Sequence, residues 1–130
     1  MSTENKDMKY RRFSPHFIIK NGIHGLGVFT TADIKKGKIL FKLKGKILDF
    51  PTRTSIQIGK YQHIEDQIGA HMNHSCQPNA KLYKRSHTFK STKNIKKGEE
   101  ITFNYNQNED KLAAPFTCAC CGRKIRGRKN

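Results

Sequence analysis

Two short strings in this chain hold residue types at spacings that could do chemistry. Asn73-His74-Ser75-Cys76-Gln77-Pro78-Asn79 gathers amide, imidazole, hydroxyl and thiol groups within seven residues. Gly98-Glu99-Glu100-Ile101-Thr102-Phe103-Asn104-Tyr105 ends on a tyrosine. Ahead of both stands Gly25-Leu26-Gly27. Its missing Cβ atoms let backbone amides approach a ligand closely, although two near glycines more commonly mean an ordinary turn. Asn73 and His74 also read as a satisfied polar turn, with Asn and Ser bonding their own backbone. Tyr105 lies at period two from Phe103 and Ile101, the position of a core aromatic. Its hydroxyl must nevertheless find a partner, and a reaction centre can use that handle. The chain has four cysteines, Cys76, Cys118, Cys120 and Cys121, and opens on polar residues without the apolar stretch of a signal peptide. The expected location is therefore intracellular, where thiols are read as free, catalytic or metal-binding before any disulfide is considered.

The elements that must position these groups are mostly short strands. Phe17-Ile18-Ile19 is an apolar run, and Val28-Phe29 follows the glycine turn. Between Lys38 and Lys44, Ile39, Phe41 and Leu43 are expected to share one face at period two. Ile47-Leu48 and Ser55 to Ile58 continue the pattern across Pro51. Lys81-Leu82-Tyr83 and His87-Thr88-Phe89 predict a hairpin around Lys84-Arg85-Ser86, and Ile101, Phe103 and Tyr105 alternate with Thr102 and Asn104. Helical signal is confined to one or two turns within 64–71. Asp33-Ile34-Lys35-Lys36-Gly37 and Asn94-Ile95-Lys96-Lys97-Gly98 look alike, each a turn closed by glycine before a strand. The expectation is a mainly β domain of several small sheets with few short helices. No apolar run approaches the roughly 18 residues of a membrane span.

Taken in order, the glycine turn, the Asn73 to Asn79 string, the Gly98 to Tyr105 string and the closing Phe116-Thr117-Cys118-Ala119-Cys120-Cys121-Gly122 resemble the SET-domain family of S-adenosylmethionine-dependent protein-lysine methyltransferases. The likeness is to a minimal form with a short post-SET tail, and it covers roughly residues 17 to 127. Residues 1–14, polar and without hydrophobic periodicity, read as a mobile basic arm, and the likeness implies a SET domain over 15–113 and a cysteine-containing basic tail over 114–130. It also implies a C-terminal pseudoknot, in which the last strand threads the Asn73 segment. S-adenosylmethionine would lie against Gly25, Leu26 and Gly27, with Asn73 holding its amino group and His74 meeting the adenine through backbone. By the same likeness Tyr105 is the catalytic tyrosine, completing the cofactor site, and Phe103 lines the substrate channel and tunes the product state. Cys76, Cys118, Cys120 and Cys121 stand where the family draws ligands for Zn2+. Cys121 departs from the pattern, because relatives place the third tail ligand where this chain has Ile125.

The bulk charge adds a second line. The net charge is +16, and no Asp or Glu occurs from residue 67 to 98. Such a chain attracts polyanions by counterion release, so nucleic acid or a nucleoprotein is an expected partner beside a protein lysine substrate. The competing reading is a catalytically silent SET fold serving as a basic nucleic-acid or chromatin-binding module. For the enzyme, histone-like and ribosomal proteins are the candidate substrates. Glu65, Asp66, Glu109 and Asp110 are the acids expected to guide a basic peptide, and Tyr61 and His63 fall in the short insert where relatives shape peptide choice.

Overall fold

The computed structural model describes residues 12–14 and 16–128. Residues 1–11 of the segment read as an arm lie outside those described. Its last three, Arg12–Ser14, form strand β1, laid antiparallel on β2 (Phe17–Gly22). β2 buries Phe17 and Ile19 on one face, as its alternation requires. It turns back into β3 (Gly25–Thr30), in register from Phe17 opposite Thr30 to Gly22 opposite Gly25. Gly25 takes φ of 87°, a left-handed conformation that a residue with a Cβ adopts at a cost.

The sheet is completed by two strands far apart in sequence. β11 (Glu100–Phe103) pairs antiparallel with β3 and parallel with β8 (Asn73–His74), giving the order β1-β2-β3-β11-β8. A second sheet runs β5-β7-β6 from β5 (Lys46–Leu48), β6 (Ile56–Gly59) and β7 (Gln62–Glu65). A third runs β4-β10-β9 from β4 (Ile39–Lys42), β9 (Ala80–Tyr83) and β10 (Thr88–Ser91), so the expected hairpin around Lys84-Arg85-Ser86 forms. β12 (Phe116–Thr117) and β13 (Lys124–Ile125) make a small hairpin in the tail. Helix is limited to a 3-10 turn at Gly69–His71 and one α-turn at Tyr105–Asn108 among the described residues. None of these is long and apolar enough to cross a membrane. The expected fold class, mainly β with several small sheets, is the observed one.

Two local expectations are corrected and a third is narrowed. Ile39 does not share the buried face of Leu43: it is 66% exposed, while Leu40 is buried. The pairing of β10 with β4 steps from Phe89–Phe41 to Lys90–Ile39 and skips Leu40, a bulge that reverses the side-chain phase. Strand β11 stops at Phe103, so Tyr105 opens a helical turn instead of extending the alternation. Asn104 caps that turn by accepting the Gln107 N–H through its side chain. Helical structure within 64–71 is confined to the 3-10 turn, because Gln62–Glu65 is claimed by β7.

One apolar cluster joins the three larger sheets. Val28, Phe89, Ile95 and Ile101 are fully or almost fully removed from solvent within it. Each such side chain contributes roughly 1.5–3 kcal/mol. The two look-alike turns meet back to back, where Ile34 and Ile95 exchange backbone bonds at 2.7 Å each. Asp33 accepts the Lys97 N–H at 2.8 Å and Asn94 accepts the Lys36 N–H at 2.9 Å, so each turn caps the other.

Asp66 ties the second sheet to the 3-10 turn. Its carboxylate accepts the N–H groups of Lys44, Ile68 and Gly69 at 2.8, 2.8 and 2.7 Å. Replacing it leaves three backbone donors to find other partners. Asp66→Ala is expected to lower the unfolding free energy by about 3 kcal/mol in chemical denaturation, with Asp66→Asn intermediate. A loss within experimental error would show that these bonds add nothing to stability.

Candidate active site

The parallel pairing of β8 with β11 sets Asn73 opposite Thr102 and His74 opposite Phe103. The segment after β8 continues along β11: the Ser75 N–H reaches the Phe103 carbonyl at 3.1 Å. The Asn79 side chain donates to the Glu100 carbonyl at 2.8 Å and accepts the Thr102 N–H at 2.9 Å. β11 is thus bonded on one side to β3 and on the other to the Asn73–Asn79 string, the pairing that a pseudoknot requires.

The glycine strand closes on the same place. Asn73 Nδ2 donates to the Leu26 carbonyl at 3.0 Å and to Glu100 Oε2 at 2.7 Å. Gly27 is buried beneath this pair. A Cβ there would overlap the Glu100 carboxylate and come within 3.0 Å of Asn73 Nδ2. Leu26, Gly27, Asn73 and Glu100 therefore form one rim, while Gly25 lies at the exposed start of the strand. Glu100 was not among the residues singled out from sequence, although it lies inside the second string. No local pattern shows that its side chain turns toward Asn73.

Tyr105 sits behind that rim. Its hydroxyl donates to the Met72 carbonyl, the residue immediately before Asn73. Burial pushes its pKa up, with the Glu109 and Glu100 charges adding to the shift, so the phenol stays protonated near neutral pH. Its ring lies 4.9 Å from Phe103, 5.3 Å from His74 and 6.0 Å from Phe116. Phe103 in turn packs at 5.1 Å on Phe89 and is 3% exposed, a rigid wall beside the phenol. Phe116 was quoted from sequence only as a flank of the cysteines; the fold makes it part of this aromatic cluster.

His74 has its protonation fixed by its neighbours. The Tyr105 N–H donates to Nδ1 at 3.0 Å, so Nδ1 is an acceptor and the ring proton is on Nε2. Nε2 lies 3.4 Å from Cys76 Sγ and donates to it. Burial also lowers the His74 pKa, which favours the neutral ring. With one nitrogen accepting and the other protonated, His74 has no lone pair for a general base. It links the tyrosine backbone to the thiols.

The four cysteines converge. Their sulfurs all lie within 4.8 Å of one another, with Cys76–Cys121 at 2.7 Å, Cys118–Cys120 at 3.1 Å and Cys76–Cys118 at 3.9 Å. Tetrahedral Zn–S bonds of about 2.3 Å imply sulfur separations near 3.8 Å, which this cluster brackets. Adjacent side chains usually diverge, yet Cys120 and Cys121 both reach inward. The reason is a tight turn: the Gly122 N–H bonds to the Cys118 carbonyl at 2.8 Å, and Gly122 adopts φ of 73°. Hydrogen bonding among the thiols splits their acidities. A bond from Cys120 pulls Cys118 down to about 6, while the bond to Cys121 is the main cause that raises Cys76 to about 12. Such a set holds several negative charges together only with a cation present. Ile125 is fully buried and anchors the hairpin.

The acids expected to guide a peptide are committed elsewhere. Asp66 caps backbone, and Glu109 is buried, accepting the Gln57 N–H at 2.8 Å. Asp110 pairs with Arg128 at 2.7 Å, and Glu65 accepts from the Thr52 and Thr54 hydroxyls. In the insert, Tyr61 is exposed and His63 is buried, its Nδ1 without a hydrogen-bond partner among the described residues. An open cleft of about 460 Å³ adjoins Phe103 and Asn104 and is edged by Lys84 and Arg128.

Comparison with known proteins adds the following. Residues 25–106 match the family model described as SET domain. A protein of Yarrowia lipolytica named Histone-lysine N-methyltransferase, H3 lysine-36 specific, is 29% identical over 93% of this chain. Histone-lysine N-methyltransferase ASHH2 of Arabidopsis thaliana is 27% identical over 95% of this chain. This chain spans only 19% and 8% of their respective lengths. Among solved structures, ctPRC2 in an autoinhibited conformation bound to S-adenosylmethionine superposes with a TM-score of 0.61 at 15% identity, covering 86% of this chain and 20% of that one.

Proposed function

This chain belongs to the SET-domain family, and we propose that it is a protein-lysine N-methyltransferase using S-adenosylmethionine. The observation that carries the reading is the parallel β8–β11 pair, which puts Asn73 and His74 beside Phe103 and the start of the Tyr105 turn. The backbone of Gly25, Leu26 and Gly27, the Asn73 amide, the His74 backbone and Tyr105 would hold the cofactor. When bound, it supplies an electrophilic methyl group on a sulfonium. What supports a polar ligand here is chemistry: an amide and a carboxylate meet over the Gly27 backbone, and both can bond an amino group.

The chain's own groups account for the rest. A lysine amine with pKa near 10.4 costs about 4.6 kcal/mol to deprotonate at pH 7. A dehydrated channel beside a positive sulfonium lowers that cost without a dedicated base, in keeping with His74 having no free lone pair. The Tyr105 proton is occupied by the Met72 carbonyl, so its oxygen would act on the amine as an acceptor and align it. Phe103 brings no hydroxyl to the amine and leaves room, which supports higher methylation states. The four thiols would hold a structural Zn2+ that fastens Phe116 against His74, whose rings lie 6.0 Å apart.

Histone-like proteins are the proposed substrates, from the names of the relatives, with ribosomal proteins as a second candidate. The charge of +16 supports contact with nucleic acid or nucleoprotein. It is also what favours the alternative, a silent basic module. Incubation with labelled S-adenosylmethionine and histones, nucleosomes or a ribosomal fraction separates the two. Label on a lysine, located by mass spectrometry, is expected. Tight nucleic-acid binding with no label on any protein would favour the module.

Gly27→Ala tests the cofactor rim. The new Cβ must push Glu100 off Asn73, so affinity for S-adenosylmethionine should fall at least about tenfold in calorimetry while the circular dichroism spectrum is retained. Unchanged affinity would remove this rim from the cofactor site.

A further inference from the structure

The solvent face of the β4-β10-β9 sheet gathers facing lysines, an exposed tyrosine and an exposed isoleucine. The register sets Lys90 directly opposite Lys81 on one side and Ile39 on the other. Like charges facing each other across strands are destabilising, and residues 67–98 contain no acid that could offset them. One step along, Thr88 stands between Tyr83 and Lys42. Tyr83 is 44% exposed, with Lys90 Nζ 4.9 Å and Lys81 Nζ 5.8 Å from its ring centroid. Ile39, turned outward by the bulge at Leu40, is exposed beside them. The nearest turns add exposed Lys36 and Lys97, while their acids Asp33 and Glu99 are engaged in capping backbone N–H groups.

From this arrangement we infer that the outer face of β4-β10-β9 binds single-stranded nucleic acid, with a base stacked on Tyr83 and flanking phosphates on Lys81, Lys90 and Lys42. The inference rests on the nucleoprotein contact proposed above and gives it a place. A sheet face with an exposed aromatic flanked by cations is a stacking platform, because every unpaired base presents a π-face. A duplex keeps its bases stacked inside and offers that ring no partner. An acidic peptide would engage the lysines but leave the exposed ring and Ile39 without a role. The apolar side chain of Ile39 extends the platform by one position.

The test uses the full chain and a fluorescein-labelled oligouridine of about 12 nucleotides, within the site size of a single small fold. Tyr83→Ala is expected to weaken binding about tenfold, and Tyr83→Phe to bind nearly as the wild type, since stacking needs the ring and not the hydroxyl. Lys81→Gln combined with Lys90→Gln should weaken binding and lower the slope of log affinity against log salt by about one to two. Tyr83 and Lys81 lie on the edge strand β9 and Lys90 on the central strand β10, and circular dichroism checks that each variant is folded. Wild-type binding that Tyr83→Ala leaves unchanged, or equal displacement by a duplex or by polyglutamate, overturns this site while leaving general polyanion contact standing. Absence of any binding by the wild type overturns both.

Discussion

Tyr105→Phe is expected to fold, to bind S-adenosylmethionine within about twofold of the wild type, and to transfer methyl about 10²–10³-fold more slowly, the usual scale for losing one positioned polar group at a reacting centre. The ring stays wedged between Phe103, His74 and Phe116, so the substitution removes one oxygen and little packing. What is lost is the hydroxyl anchored on the Met72 carbonyl, the group proposed to align the amine. Because burial holds the phenol protonated, the loss should be the same at every pH near neutrality. The rate in both proteins should still rise with pH as the lysine substrate loses its proton. Measurement is by single-turnover transfer of labelled methyl together with calorimetric cofactor binding. A wild-type rate in the variant would remove Tyr105 from the chemistry. A lost rate with lost cofactor binding would make it a binding residue only.

Removal of metal is expected to have the second largest effect. Purified protein should carry about one Zn2+ per chain, and Cys118→Ser should reduce this to background, since three thiolates hold zinc far less tightly than four. Structural zinc contributes on the order of 10 kcal/mol to ordering small domains. Here the tail has other fastenings. Ile125 is fully buried, and Asn106 Oδ1 accepts the Arg126 and Gly127 N–H groups at 3.0 and 2.8 Å. Chelation should therefore loosen the turn around Cys118 to Cys121 without releasing the chain after Ile125. Limited proteolysis should cut within that turn only after chelation, and methyl transfer should fall with it because Phe116 is no longer pinned beside His74 and Tyr105. Four thiols titrating freely in the untreated protein, with no zinc present, would refute the metal site.

How much of this was legible beforehand follows the range of the interactions involved. The identity of the reactive string, the terminal tyrosine and the number of cysteines are local facts, and the strands of period two followed from burial of one face. Register and partner choice are not local. Leu40, instead of Ile39, enters the core because a bulge in the β4–β10 pairing moves the phase by one residue. Cys121 reaches the thiol cluster because Gly122 turns left-handed, while Ile125 goes into the core. Asp66 and Glu109 looked like surface acids until the fold gave them buried N–H partners.

From residue types and spacing alone, the chain already determined which groups could do chemistry: an amide, an imidazole, a phenol and four thiols in fixed order. Only the tertiary structure decided that they lie together. β8 and β11 begin nearly thirty residues apart, and parallel pairing at that distance depends on what both strands bury against β3 and the core. That pairing leaves the His74 ring with one nitrogen on Tyr105 and the other on Cys76, a connection no local pattern contains.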